Sequence, residues 1–296
     1  MPSKTCKNVR VEPDVDRERI DLHIEYKSIA SALELNRFEG FIFLKDNDMA
    51  LDAPLFSDDE LKSINERLES ASTEDVMKWV DETFGSGAAQ MSSFGLEDQA
   101  LFHIYWTVNE KARVMTLDTL RLPTETYSLF DQTKLRYGVD IEFFYPNMDS
   151  VAEMVKERGN NLFYKGKGNR EFCCGVRKVE PLGRALSGVS AWVTGLRRDQ
   201  GMDRGSIDIV EWDAAHSNYK INPLANWTFD DVRKFVDDNA VPYNELHDKG
   251  YPSLGCAPCT RAVEPGEDIR AGRWWWEGDP DAKECGIHIV VPATRD

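Results

Sequence analysis

Residues 88–98 read Ala88-Ala-Gln-Met-Ser-Ser-Phe-Gly-Leu-Glu-Asp98. A short apolar run, Ala88 to Ser92, passes through a Ser/Gly turn into residues at helical spacing, so the stretch reads as strand, loop and helix. In an open parallel sheet, ligands bind at the carboxyl ends of strands. Ser92, Ser93 and Gly95 can offer hydroxyl and backbone N–H groups to a phosphate at the helix N-terminus, with Asp98 in the first turn. A plain serine-capped turn has the same sequence appearance, so this stretch decides fold class before it decides chemistry.

Outward from it the same rhythm repeats. Helical spacing runs from Leu96 to Asn109 and from Glu125 to Tyr137, and a further helix is expected near Ser150 to Arg158. Strands are expected at Arg113 to Leu117, Ile141 to Tyr145, Val189 to Thr194 and Ile207 to Val210. Alternating strands and helices imply an α/β fold, a mostly parallel sheet flanked by helices. Thr228 caps a later helix with Phe229, Val232, Phe235 and Val236 at helical spacing. Upstream, Ser57-Asp-Asp-Glu60 is a capping box opening a helix with Leu61, Ile64 and Leu68, and a second helix is expected from Ser72 through Val76, Trp79 and Val80. After Pro242 the chain is rich in Gly, Pro and Trp and reads as a long functional tail.

Composition narrows the function classes. There are 52 acidic and 36 basic residues, a formal charge of −16, which argues against broad nucleic-acid binding while permitting a local pocket for one small anion. No apolar run approaches the roughly 20 residues that span a bilayer. The first ten residues are polar and lack a signal-peptide core, so a cytoplasmic protein is expected.

Six cysteines sit at 6, 173, 174, 256, 259 and 285. Cys173, Cys174, Cys256 and Cys259 form a four-thiol set, and thiolates in that number suit zinc or an iron–sulfur cluster; spacing leaves both open. Cys285 stands apart in Lys283-Glu-Cys-Gly-Ile-His288, beside glycine and three residues before His288. A thiolate there is a candidate nucleophile if cations lower its pKa. Cys6 has no partner nearby. Around the thiols, basic residues gather: Arg177 and Lys178 after the cysteine pair, Arg197-Arg198, and Arg261, Arg270 and Arg273 before Trp274. Such a set in an acidic chain suggests a sulfate or phosphate pocket. Trp274-Trp275-Trp276 is expected to pack as an anchor rather than to stack on a base.

Taken together, Ser93 to Asp98, Cys173-Cys174 through Leu182, Thr194 to Asp199, Cys256 through Trp276 and Glu284-Cys-Gly-Ile-His288 resemble the assimilatory adenylyl-sulfate and phosphoadenylyl-sulfate reductases. The resemblance covers about Phe84 to His288. It implies an adenine nucleotide α-hydrolase-like fold, with a nucleotide-binding α/β domain (81–245) and a cluster-closing, catalytic C-terminal segment (246–296) with a mobile tail; the residues before it (1–80) read as a mostly helical N-terminal extension that the resemblance does not cover. It implies that the four thiols hold one 4Fe-4S cluster. It implies Lys178 between cluster and substrate, Arg177, Arg198, Arg270 and Arg273 on the substrate's anionic groups, and His288 as the tail histidine. Cys285 is then the nucleophile, passing through a thiosulfonate that a separate thioredoxin resolves, since the chain ends at Asp296 without the glutaredoxin-like domain of plant-type members. Adenylyl sulfate is the implied substrate, and a homo-oligomer is compatible with the sequence. The loop blends the Ser-Ser-Phe-Gly of phosphoadenylyl-sulfate enzymes with the Glu-Asp of cluster-bearing ones, so phosphoadenylyl sulfate or dual use is the alternative. A tRNA-thiolating relative would need a Ser-Gly-Gly-x-Asp-Ser loop and a basic surface, neither of which is present. A metal module without activity would leave Cys285 and His288 without a role.

Overall fold

A hydrogen-bonded exchange opens the described part of the chain. In the computed structural model, which describes residues 51–200 and 207–277, the Ser57 Oγ accepts from the Glu60 N–H while the Glu60 carboxylate accepts from the Ser57 N–H, starting helix α1 (Asp58–Leu68). Ser72 caps α2 (Thr73–Phe84) through the Asp75 N–H. Then follow β1 (Ala88–Met91), α3 (Leu96–Val108), β2 (Arg113–Leu117), α4 (Thr124–Tyr137), β3 (Ile141–Phe144) and α5 (Met148–Arg158). A continuous helical run comes next: α6 (Lys167–Cys174), a π-helical stretch (Gly175–Val179) and α7 (Glu180–Leu186). Strands β4 (Ala191–Val193), β5 (Val210–Asp213) and β6 (Asn218–Ile221) complete the sheet, and α8 (Phe229–Asp238) follows with Thr228 and Asp231 forming its capping box.

The sheet has the order β3-β2-β1-β4-β6-β5, parallel throughout except that β5 runs antiparallel to β6. The strand expected at Ile207 to Val210 lies later, at Val210–Asp213, because the chain turns back on itself there. Ser217 takes a left-handed φ of 53° and the Asp213 carboxylate pairs with His216 at 2.7 Å, so β5 and β6 form a hairpin that the apolar pattern does not announce.

Period-two alternation sets the two faces. Ala88, Ala191 and Val193 join the core that α1, α2 and α3 close with Leu68, Val80, Phe84 and Leu101. Ala89 and Trp192 point the other way, into a second core with Met115, Leu182 and Leu186 of α7. Helices α1 and α2, read from the sequence as part of an extension, thus share a core with the sheet. Among the described residues no helix is long and apolar enough to cross a membrane.

Strand order reverses between β1 and β4, which are paired but whose connections leave toward opposite edges of the sheet. At such a switch point the loops after the two strands diverge and leave a crevice. Everything described next sits there.

Candidate functional site

The loop after β1 is held in shape from inside. Ser92 donates its N–H to the Met115 carbonyl at 2.8 Å, and its Oγ accepts from the Phe94 N–H at 3.1 Å. Phe94 takes a left-handed φ of 58°, a costly conformation for a bulky residue, and is repaid by burial edge-on against Phe130. Asp98 ties the loop to the helix: its Oδ2 accepts from the Ser93 N–H at 2.6 Å and the Ser93 Oγ–H at 2.7 Å. Gly95 is the N-cap of α3 and makes no side-chain capping bond.

Gly195, in the loop after β4, approaches this clamp so closely that a Cβ there would stand 2.6 Å from Asp98 Oδ1. Only glycine allows the contact. Asp98 therefore joins the two loops, and its role is to shape the crevice. Burial pushes its carboxyl up to about 6, with Glu97 acting the same way and the Ser93 hydrogen bonds opposing. Unfolded, it titrates near the ordinary value of about 3.9. The folded state therefore takes up this proton first as pH falls. Asp98 adds stability from about pH 7 down to about pH 4, at up to ~1.4 kcal/mol per pH unit. Asp98→Asn is expected to flatten that part of a Tm–pH profile; an unchanged slope would contradict the assignment.

Between the loops lies a cavity of about 290 Å³. Its floor includes Ser92, Ser93 and Gly95, and Lys178, Arg270 and Arg273 line it. Arg273 donates to the Leu254 carbonyl at 2.7 Å and the Ser253 Oγ at 3.3 Å, while its buried Nε has no hydrogen-bond partner. Its guanidinium passes over Gly255, where a Cβ would come within 2.3 Å of Nη2. On its other side it packs on Trp274, centred 4.9 Å away.

Arg198 does not enter the cavity. Its guanidinium is held by the Glu69 carboxylate at 2.6 Å, by Asn226 and by the Ile207 carbonyl, on the outer side of the β4 loop. The member of this pair that lines the cavity is Arg197, 1% exposed, which donates to Glu97 at 2.9 Å and pairs with Asp199. An Arg-Arg pair contains no signal for which member turns inward; the Glu69 side chain decides it. Arg177 is likewise away from the cavity lining: its Nη1 donates to the Thr119 carbonyl at 2.7 Å, and its charge acts on Cys173. The sequence reading gives Glu97 no role of its own beyond its place in the loop motif and does not single out Thr119 or His247, all three of which line the cavity.

Behind Lys178 stand the thiols. None of Cys173, Cys174, Cys256 and Cys259 is in a disulfide. Cys173 and Cys256 act on one another electrostatically, as do Cys259 with Cys256 and with Cys174, so the four thiols are neighbours. Burial pushes the Cys259 thiol up to about 12, the neighbouring thiols add to this, and Lys178 and Arg273 oppose it. Burial raises Cys173 as well. Thr119 Oγ1 lies 3.2 Å from Cys256 Sγ. Among the described residues no three His, Cys, Asp or Glu side chains converge closely enough to hold a single metal ion.

The π-helical stretch explains how Lys178 reaches its place. A wide turn right after Cys174 shifts the side-chain register, so that Arg177 faces Thr119 and Cys173 while Lys178 faces the cavity. Trp274 packs as the anchor, fully buried with Arg170 4.3 Å from its ring centre. Arg170 in turn forms a buried pair with Glu277 at 2.7 Å, fixing the chain just before the region that carries Cys285. Cys285 and His288 themselves lie outside the described residues, as does Cys6.

Residues 87–262 match the model of the phosphoadenosine phosphosulfate reductase domain. The chain is 51% identical over 204 residues to adenosine 5'-phosphosulfate reductase of Allochromatium vinosum, covering 69% of this chain and 79% of that protein. It is 49% identical over 209 residues to the enzyme of the same name from Burkholderia cepacia, covering 69% and 83%. A crystal structure of phosphoadenylyl-sulfate reductase from Candida auris, in a phosphate complex, superposes with a TM-score of 0.62 at 29% identity, covering 71% of this chain and 100% of that one.

Proposed function

The chain belongs to the phosphoadenosine phosphosulfate reductase domain family, and on that premise we propose that it reduces adenylyl sulfate to sulfite and AMP in sulfate assimilation, the route to cysteine. The observation that carries this reading is a shared wall: Lys178 and Arg273 line the cavity, and the same two charges reach Cys259 behind it. A dianionic ligand seated in the crevice would meet cations on the side where the thiols lie. The loop after β1 and the uncapped start of α3 suit its phosphate.

In the proposed reaction the Cys285 thiolate attacks the sulfate sulfur. The bond between that sulfur and the bridging oxygen breaks, and AMP leaves with the oxygen. A thiosulfonate remains on Cys285. A dithiol protein, thioredoxin, then attacks Cys285 Sγ, sulfite departs with the bonding pair, and the second thiol closes a disulfide and frees Cys285. Sulfur gains two electrons and the dithiol loses two. Nucleophile and target are both negative, so Lys178, Arg270 and Arg273 contribute by offsetting that repulsion and by stabilising charge on the departing phosphate. His288, close to Cys285 in sequence, is read as assisting there.

Cys173, Cys174, Cys256 and Cys259 are read as the ligands of one 4Fe-4S cluster. The donor set fits it in kind: four neighbouring thiols, none in a disulfide, with burial raising Cys173 and Cys259 so that a free thiolate is disfavoured until a metal neutralises it, although among the described residues no three of them converge on one point. When bound, the cluster supplies a polarisable charge that tunes the anion site beside Lys178. Thiols outside disulfides in this number suit a reducing compartment, and the cytoplasm is the proposed one.

The Ser92-Ser93-Phe94-Gly95 order favours a second reading, use of phosphoadenylyl sulfate. Both are tested by sulfite release from the anaerobically purified full chain with thioredoxin. The expected result is a kcat/KM for adenylyl sulfate at least about tenfold above that for its 3'-phosphorylated form, a difference of ~1.4 kcal/mol, with about four irons per chain. The reverse preference would overturn the substrate assignment, and stoichiometric zinc without iron the cluster.

A further inference from the structure

Eight buried side-chain polar atoms lack a hydrogen-bond partner among the described residues, and four of them belong to cavity-lining residues: Trp192 Nε1, Arg273 Nε and both ring nitrogens of His247. Buried polar atoms are rarely left unpaired, so their concentration on one cavity marks groups kept for a ligand. Two are on the His247 ring, one of whose nitrogens is within reach of the Tyr251 backbone so that the other is left for a ligand, and the reaction described above makes no use of it.

Its ring is held in place by backbone. His247 sits in a single turn, Glu245–Lys249, where its N–H donates to the Asn244 carbonyl at 3.0 Å. Asn244 is locked in turn, donating to Thr126 Oγ1 at 3.0 Å and accepting from the Leu246 N–H at 3.1 Å. On the far side the Tyr251 N–H donates to the Leu246 carbonyl at 3.1 Å. The imidazole is thus presented to the cavity by a fixed turn. Burial holds it neutral, against the opposing pull of the Glu97 charge. A neutral imidazole has one donor and one acceptor.

The cavity walls differ in kind. Met91, Leu117 and Trp192 form an apolar side. Lys178 and Arg273 form the cationic side next to the thiols. Near His247 the charge that acts on it most is a carboxylate, Glu97, which disfavours a phosphate or sulfate there. What suits that third side is an uncharged group able both to donate and to accept. We propose that His247 hydrogen-bonds a ribose hydroxyl of the nucleotide and so positions the sugar while the anionic end faces Lys178 and Arg273. This rests on the nucleotide reading of the cavity and adds a specific contact to it.

The test is calorimetric titration of AMP, 2'-deoxy-AMP and 3'-deoxy-AMP into the full chain, wild type, His247→Phe and His247→Gln, with melting curves as a folding check. His247→Phe is expected to weaken AMP about tenfold, and His247→Gln to recover most of the loss. One deoxy nucleotide should bind wild type about tenfold more weakly than AMP yet lose nothing further in His247→Phe. Equal binding of AMP by wild type and His247→Phe would overturn the proposal, as would an equal loss for all three nucleotides. If His247→Phe does not fold, wild type binding both deoxy forms as tightly as AMP overturns it. Failure of wild type to bind AMP at all would instead sink the nucleotide reading beneath it.

Discussion

Cys285→Ser is expected to abolish sulfite release, by at least about a thousandfold, while leaving the iron content at about four per chain. A serine hydroxyl is a far weaker nucleophile than a thiolate at neutral pH, and no activating base replaces the lost acidity. Substitution by another thiol of the same chain is also closed off. Burial pushes up the Cys173 and Cys259 thiols, and none of the four thiols of the set lines the cavity. Two measurements separate this from general damage. Incubating wild type with adenylyl sulfate and no reductant should add one sulfonate to Cys285 by mass spectrometry, and the serine variant should gain none. A Cys285→Ser protein turning over within tenfold of wild type with thioredoxin would remove Cys285 from its role.

Much of the frame was legible because it rests on local patterns. Alternation put Ala88 and Ala89 on opposite faces of one strand, and the capping boxes at Ser57 and Thr228 appear as such. The β5–β6 hairpin was not legible, since Ser217's left-handed turn is imposed by its neighbours rather than by residue type. The site divides along the same line. Residue type and spacing pointed to the loop after β1, to the four thiols and to a set of cations near them, within which only the family resemblance picked out Lys178. Side-chain direction did not follow from spacing: Arg198 is drawn outward by Glu69, Arg197 inward by Glu97, and Arg177 and Lys178 part ways across a π turn. His247 carries no sequence signal at all; it is found only by asking which buried nitrogens lack partners.

The π turn also makes Lys178 the most informative single charge to remove. Lys178→Met keeps the length and packing of the side chain and takes away the ammonium, so the change leaves little cavity behind. Lys178 is 9% exposed and lines the crevice, and it is one of two cations that lower the cost of charge on Cys259. Removing one preorganised cation from a site where charge develops typically costs about a hundredfold to a thousandfold in rate. A fall of about a hundredfold in kcat/KM for adenylyl sulfate is therefore expected, with Lys178→Arg recovering part of it, since a guanidinium restores charge but not shape. Because the same charge acts on Cys259, the visible absorption of the proposed cluster should shift in Lys178→Met and return toward wild type in Lys178→Arg. A loss in kcat/KM of less than about threefold would mean that Arg270 and Arg273 carry the anion alone. A full rate loss with an unshifted spectrum would place Lys178 on the substrate and sever the link between cavity and thiols that the shared wall implies.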